Sequence, residues 1–296
     1  MFELKGIYAP VATPFEDGKI AYDKLESNLD FWLSSKLEGL VIMGSNGEGV
    51  SLREAEKEEL ICYCCKKTNG RKKIIVGVGG NCFDETIDLS DLSAGQGADA
   101  VLVITPYYYK GGMKDHILEQ YFREVADRSP LPVVLYNMPG NTGVNTSSEL
   151  LVRLSGHPNI VGVKDTGGNI AQIAETICDA QPEFSVLAGN WSFFLPSLHM
   201  GAKGATLALA NVLPNECVEV MELFNQGQYE KARQLALRLM PVNAAVTSRF
   251  GIGGLKVAME FVGLFGGEPR SPLRRPGGEV CGEIRNILIN AGIALK

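Results

Sequence analysis

Residues 100–136 read AVLVITPYYYKGGMKDHILEQYFREVADRSPLPVVLY. Two short apolar runs, Ala100–Ile104 and Val133–Tyr136, bracket a longer charged and apolar stretch, Met113–Arg128. The short runs are apolar throughout rather than alternating, as strands covered on both faces of a parallel sheet should be. The stretch between them carries its apolar residues at helical spacing, so the segment predicts strand, helix, strand.

The same alternation extends outward in both directions. Upstream lie the apolar runs Gly6–Ala12, Gly39–Met43 and Ile74–Val78; downstream lie Ile160–Val163, Ser185–Ala188 and Gly204–Ala208. With the first two runs these make eight, each short and bounded by Gly, Pro or Asn. Helical periodicity returns at Asp84–Ala94, Ile170–Ala180 and Ser192–Met200. Ser51-Leu52-Arg53-Glu54 and Thr146-Ser147-Ser148-Glu149 have the form of capping boxes, which fix where a helix begins. Eight strand-then-helix units predict an α/β fold, a closed (β/α)8 TIM barrel. The alternative is a doubly wound open sheet, but Gly77-Val78-Gly79-Gly80-Asn81 lacks the GxGxxG spacing that reading needs. Beyond the eighth run only helical segments follow: Pro214–Asn225, Tyr229–Val246, Gly254–Phe265 and Glu279–Ala291, with Pro269, Pro272 and Pro276 marking a loop before the last. We therefore expect a barrel core over 1–212, and over 213–296 the final barrel helix and a C-terminal helical extension.

Bulk composition narrows the function. The 296 residues are 45% hydrophobic and 21% charged, enough apolar material for one sizeable core. A net charge of −6 argues against nucleic acid or an anionic membrane as partner, since both demand surplus positive charge. No apolar stretch approaches the roughly 18 residues of a membrane span, and Met1-Phe2-Glu3-Leu4-Lys5 lacks a signal pattern, so a cytoplasmic location is expected. Cys62, Cys64 and Cys65 crowd one stretch without a second cysteine pair, and His116, His157 and His199 lie far apart; we expect reduced cysteines on a packed helix and no metal site.

In such barrels chemistry collects where the strands end. The second run ends in Gly44-Ser45-Asn46-Gly47-Glu48, whose free N–H groups, hydroxyl and amide can hold a carboxylate without a cation, or simply form a turn. The fourth ends in Thr105-Pro106-Tyr107-Tyr108-Tyr109, tyrosines suited to a cavity or a subunit contact. The fifth ends in Tyr136-Asn137-Met138-Pro139-Gly140-Asn141-Thr142-Gly143, where a phenol can relay protons or, as a lone tyrosine more often does, sit in the core with its hydroxyl met by backbone. The sixth ends in Val163-Lys164-Asp165, where a lysine taken alone more often closes a strand in solvent, but here can instead stand at the barrel mouth. Walled by apolar side chains, that lysine would favour its neutral form, and a neutral amine attacks a ketone to give an electron-withdrawing iminium. Together these ends describe one site for a 2-oxo acid: Lys164 bonds the keto carbon, Ser45 and Asn46 hold the carboxylate, and Tyr136 moves protons. Thr166 and Gly189 are further candidates, for substrate contact or for shaping the mouth.

The order GSNGE, TPYY, YNMPGNTG and VKD resembles the dihydrodipicolinate synthase / N-acetylneuraminate lyase superfamily of class I aldolases over nearly the whole chain. The resemblance implies a barrel with a C-terminal helical region, usually a homotetramer, with no metal or organic cofactor beyond the covalent imine on Lys164. It puts Lys164 on the Schiff-base lysine, Tyr136 on the catalytic tyrosine, Ser45 and Asn46 on the hydroxyl pair of the GTTGE-type loop, and Tyr108 on the tyrosine lent by a neighbouring subunit. Two departures bear on substrate: Ser45-Asn46 replaces a Thr-Thr pair, and Asn141 replaces an arginine associated with the incoming aldehyde's carboxylate. With His157–Gly162, Asn243–Thr247 and Arg249–Ile252, these features look more like 4-hydroxy-2-oxoglutarate aldolase, which yields pyruvate and glyoxylate. Dihydrodipicolinate synthase (pyruvate plus aspartate semialdehyde), a 2-keto-3-deoxy sugar-acid aldolase or dehydratase, and a silent 2-oxo-acid sensor are the alternatives.

Overall fold

The computed structural model describes residues 2–296. Among the described residues there are ten strands: β1 Gly6–Pro10, β2 Phe15–Glu16, β3 Lys19–Ile20, β4 Gly39–Ile42, β5 Lys73–Gly77, β6 Ala100–Ile104, β7 Val133–Asn137, β8 Ile160–Asp165, β9 Ser185–Ala188 and β10 Gly204–Thr206. Eight of them form a closed barrel in the order β1-β10-β9-β8-β7-β6-β5-β4, and the remaining two form an antiparallel hairpin. The eight apolar runs are these eight strands, shifted at their ends by a residue or two. The fold is the expected (β/α)8 barrel, and the open-sheet alternative is excluded by closure. After β10 come the helices Pro214–Asn225, Tyr229–Ala244, Gly251–Phe261 and Gly278–Asn290, with one wide π-turn, Ala245–Arg249, joining the second to the third.

Two of the local expectations need correction. The helix predicted from Ser51 starts at Glu54; its N-cap is Arg53, whose N–H donates to Glu56 Oε2 at 2.9 Å, while Ser51 lies in a preceding 3-10 turn, Gly49–Ser51. The carboxylate that closes back on the cap therefore belongs to Glu56, not Glu54. In the second box the cap is Ser147, whose Oγ accepts from Leu150 N at 3.2 Å, because Thr146 is buried and its N–H is taken by Asn137 Oδ1 at 3.0 Å.

By contacts the chain divides into two compact units. One comprises the chain up to Gly6 with Lys73–Thr206, the other Ile7–Lys72 with Leu207–Lys296. Within the first, β7 and β8 set the frame for the chemistry. Val133 pairs with Ile160, but Val134 pairs with Gly162, so Val161 is an extra residue in the ladder. Its insertion advances the register by one, and Tyr136 then falls opposite Lys164 rather than Val163. Gly162 is required beside this shift: a Cβ there would lie 2.1 Å from Ser185 O and 2.8 Å from the Leu4 side chain.

Within the second unit, buried amides bind distant segments together. Asn211 accepts from Ala12 N (3.0 Å) and donates to Pro10 O (3.0 Å), while its own carbonyl takes the indole N–H of the fully buried Trp32 at 3.1 Å. Asn28 exchanges two hydrogen bonds with the Phe265 backbone, at 2.8 and 3.0 Å. Such pairings satisfy groups that would otherwise be stranded away from water. All seven cysteines are free, with Cys64 and Cys65 buried on the helix Glu54–Thr68. Among the described residues no helix is long and apolar enough to cross a membrane, and no three His, Cys, Asp or Glu side chains group as a metal site.

Candidate active site

Lys164 and Tyr136 are Cα partners on β8 and β7, and both are buried, at 4% and 5% exposure. The Lys164 Nζ lies 4.0 Å from the centroid of the Tyr136 ring. An amine against the face of a phenol in water-poor surroundings is an arrangement that can serve as a nucleophile beside a proton carrier.

Because side chains alternate along a strand, the next residues, Asn137 and Asp165, face away from this couple. They too are Cα partners, and they lock to each other: Asn137 Nδ2 donates to Asp165 Oδ2 at 2.8 Å. The lock continues outward. Gln172, in the first turn of the helix Ile170–Asp179, donates to the same carboxylate oxygen at 3.2 Å and to Thr146 O at 3.2 Å. Asn145 accepts from Asn137 Nδ2 at 3.0 Å and donates to Gln172 Oε1 at 2.9 Å. Asp165 Oδ1 takes the Gly167 N–H at 2.8 Å. This closed circuit of amides around one carboxylate fixes the tips of β7 and β8, and with them the Lys164–Tyr136 geometry. Sequence reading missed Asp165, Asn145 and Gln172. Polar residues beside a strand end were a signal, but nothing local tells that they meet.

Thr166 and Gly189 fall together. Gly189 N donates to Asp165 O at 2.6 Å, and a Cβ on Gly189 would lie 2.0 Å from Thr166 Oγ1 and 2.7 Å from Asp165 O. Thr166 Oγ1 is buried and makes no hydrogen bond within the described protein. The same is true of Thr105 Oγ1, just past β6, a residue not singled out from sequence. Gly189→Ala is expected to push Thr166 out of place, lowering stability by about 1–3 kcal/mol and reducing kcat/KM; a thermal melt alongside steady-state kinetics checks both.

The remaining candidates lie elsewhere. Tyr108 is 74% exposed and its ring packs edge-on against Tyr109, with centroids 5.0 Å apart. The loop that carries it is pinned by Asn81, whose Oδ1 accepts from both Tyr107 N (2.8 Å) and Tyr108 N (2.9 Å). Asn141 is exposed on the helical turn Pro139–Thr142. At the end of that turn a Cβ on Gly143 would come within 3.3 Å of Lys110 Cδ and 3.6 Å of its Nζ, so a lysine flanks the loop that lacks the arginine.

In the second unit, the residues after β4 form a tight loop. Ser45–Gly47 make one 3-10 turn, and Ser45 and Asn46 are half-buried. Thr13 Oγ1 donates to Gly47 O at 2.7 Å and holds the turn down. Met43 and Glu48, at its two ends, are both left-handed, with φ of 57° and 54°. Non-glycine residues rarely adopt this conformation, and it gathers at functional sites.

Comparison with known proteins places these features. A model of the dihydrodipicolinate synthetase family matches residues 3–289. The 4-hydroxy-tetrahydrodipicolinate synthase of Methanocaldococcus jannaschii is 36% identical over 290 residues, covering 98% of this chain and 99% of that protein. Among solved structures, dihydrodipicolinate synthase from Aquifex aeolicus superposes with a TM-score of 0.92 at 30% identity, over 99% of this chain and 100% of that one. YagE from E. coli, described as a member of the dihydrodipicolinic acid synthase family and solved in complex with pyruvate, gives 0.91 at 27% identity over 98% and 99%. With a barrel of this topology and a buried lysine–tyrosine couple at its strand ends, the chain belongs to the dihydrodipicolinate synthetase family and is an enzyme of its Schiff-base, carbon–carbon lyase type.

Proposed function

We propose that this chain joins pyruvate to an aldehyde, or runs the cleavage in reverse, through an imine on Lys164. The observation that carries the reading is the Lys164 amine, buried and 4.0 Å from the Tyr136 ring centroid. The Lys164 amine adds to the pyruvate keto carbon and water leaves, giving the iminium. Loss of a methyl proton gives the enamine, whose carbon attacks the aldehyde, and hydrolysis returns the free amine. Tyr136 carries protons in these steps, with Tyr108 of a neighbouring subunit extending the relay. Ser45 and Asn46 hold the pyruvate carboxylate. Thr166, kept in place by Gly189, offers its hydroxyl to the substrate. The covalent imine replaces any metal or organic cofactor. A homo-oligomer, tetrameric by resemblance, and a cytoplasmic location belong to the same proposal.

The names of the relatives support aspartate semialdehyde as the aldehyde, the 4-hydroxy-tetrahydrodipicolinate synthase reaction, more than they support the 4-hydroxy-2-oxoglutarate reading. Lys110 beside Gly143 is in keeping with an aldehyde that bears its own carboxylate. One observation favours the second reading: Asn141 cannot make the bidentate grip of an arginine, and lysine offers only a point charge. A panel of aldehydes with pyruvate, read by product mass, tests both. Turnover of aspartate semialdehyde but not glyoxylate supports the synthase, and the reverse preference supports 4-hydroxy-2-oxoglutarate. Asn141→Arg is expected to raise kcat/KM for aspartate semialdehyde by about tenfold under the second reading, the value of one charge-assisted pairing.

A further inference from the structure

Glu48 ends the Gly44–Glu48 loop, and its side chain is 1% exposed; Lys256, on the helix Gly251–Phe261, is 0% exposed, and the two charges meet at 2.7 Å. Burying two ions is costly, and their attraction offsets the loss of water only when the remaining protons and lone pairs are also met. Here they are met. Lys256 Nζ donates to Thr13 O at 2.9 Å and Glu268 O at 3.1 Å, and lies 4.5 Å from the Phe15 ring centroid. Glu48 Oε2 accepts the Arg270 N–H at 2.8 Å. The Arg270 guanidinium in turn grips Glu56 with two bonds, of 2.6 and 2.5 Å, and donates to Ser51 O and Gly18 O at 3.0 and 2.8 Å. That grip holds the Glu56 carboxyl down at about 2. Burial pushes the Lys256 ammonium below the usual lysine range, against the pull of Glu48.

Stability alone does not call for such charges, since apolar residues of similar volume often serve as well or better. What the pair holds is a backbone that its residues disfavour. Met43 and Glu48 are both left-handed, and they bracket Ser45 and Asn46. Glu48 is the one whose side chain is anchored at both oxygens. We propose that Glu48 is a positioning residue: clamped between the Lys256 ammonium and the Arg270 N–H, it holds the Ser45–Asn46 turn in the shape that takes the carboxylate of the 2-oxo acid. This rests on the assignment of Ser45 and Asn46 to that carboxylate. Glu48 itself does not touch substrate, so its effect falls on binding of the acid rather than on the chemical step.

The test uses the full-length enzyme with pyruvate and its aldehyde, reading KM, kcat and the thermal midpoint. Ser45→Ala is expected to raise KM for pyruvate by about tenfold, as loss of a hydrogen bond to a charged group does. Glu48→Gln is expected to raise it by a similar factor, about tenfold, with kcat changed less than about threefold, the pattern of lost uniform binding. It also lowers the thermal midpoint, because Lys256 is left without its counter-charge. The double variant Glu48→Gln with Lys256→Met removes both charges, and its midpoint should return toward that of the parent while KM stays high. If KM returns with the midpoint, or Glu48→Gln leaves KM within about twofold, the pair is structural only and the proposal is overturned. Should Glu48→Gln be too unstable to assay, the KM of the double variant decides. An unchanged KM in Ser45→Ala removes the carboxylate assignment and the proposal with it; a raised KM there with none in the Glu48 variants removes the proposal alone.

Discussion

Lys164→Met is expected to abolish turnover, lowering kcat by at least roughly 10³-fold, while the protein stays folded. Methionine matches the lysine stem in length and lies easily against the Tyr136 ring, so the packing at the tips of β7 and β8 is kept. What is lost is the amine. Without it no iminium forms, and no electron sink draws charge from the reacting carbon. Lys164→Arg sharpens the point, since it keeps a cation at the same place but has no nucleophilic lone pair to offer. Both variants should show the circular dichroism of the parent and no activity above background. Activity within about tenfold of the parent in either one contradicts the assignment of the nucleophile.

Tyr136→Phe carries the second largest expected effect, a fall in kcat of about 10²–10³-fold, the usual scale for a positioned proton carrier. Phenylalanine keeps the ring that Lys164 Nζ faces at 4.0 Å, so the amine stays placed and the imine still forms. The loss should fall on steps that move protons: dehydration of the adduct, enamine formation and closure on the aldehyde. Single-turnover trapping with pyruvate should therefore reach the same final extent as in the parent, more slowly, while steady-state turnover drops. A protein that only sensed 2-oxo acids would bind pyruvate equally well in both forms and turn over neither, so this variant also separates the enzyme from that alternative.

The barrel was legible because its signal is repeated. Eight apolar runs separated by helical periods leave little freedom in topology, and each strand end could be placed to within a residue or two. The hairpin β2–β3 was not seen, since two-residue strands carry no periodicity. Its turn, Asp17-Gly18, with φ of 49° and 73°, is a signal that could have shown it. Lys164 and Tyr136 could be paired from sequence because both lie one residue from a strand's C-terminal end, although the extra residue at Val161 that puts them in register could not. The supporting groups were hidden for a different reason. Asp165 owes its partners to Asn137 and Gln172, and Glu48 owes its counter-charge to Lys256, far along the chain. A buried polar residue is chosen for what it meets in space, and no local pattern records the meeting.

The central claim is a covalent bond between Lys164 and pyruvate. Incubation of the enzyme with pyruvate and borohydride, followed by digestion and mass analysis, tests it directly. The account predicts one reduced pyruvyl group per chain, located on the Lys164 side chain and missing from Lys164→Met. An unmodified Lys164 peptide, or an adduct on another lysine that persists in Lys164→Met, contradicts it.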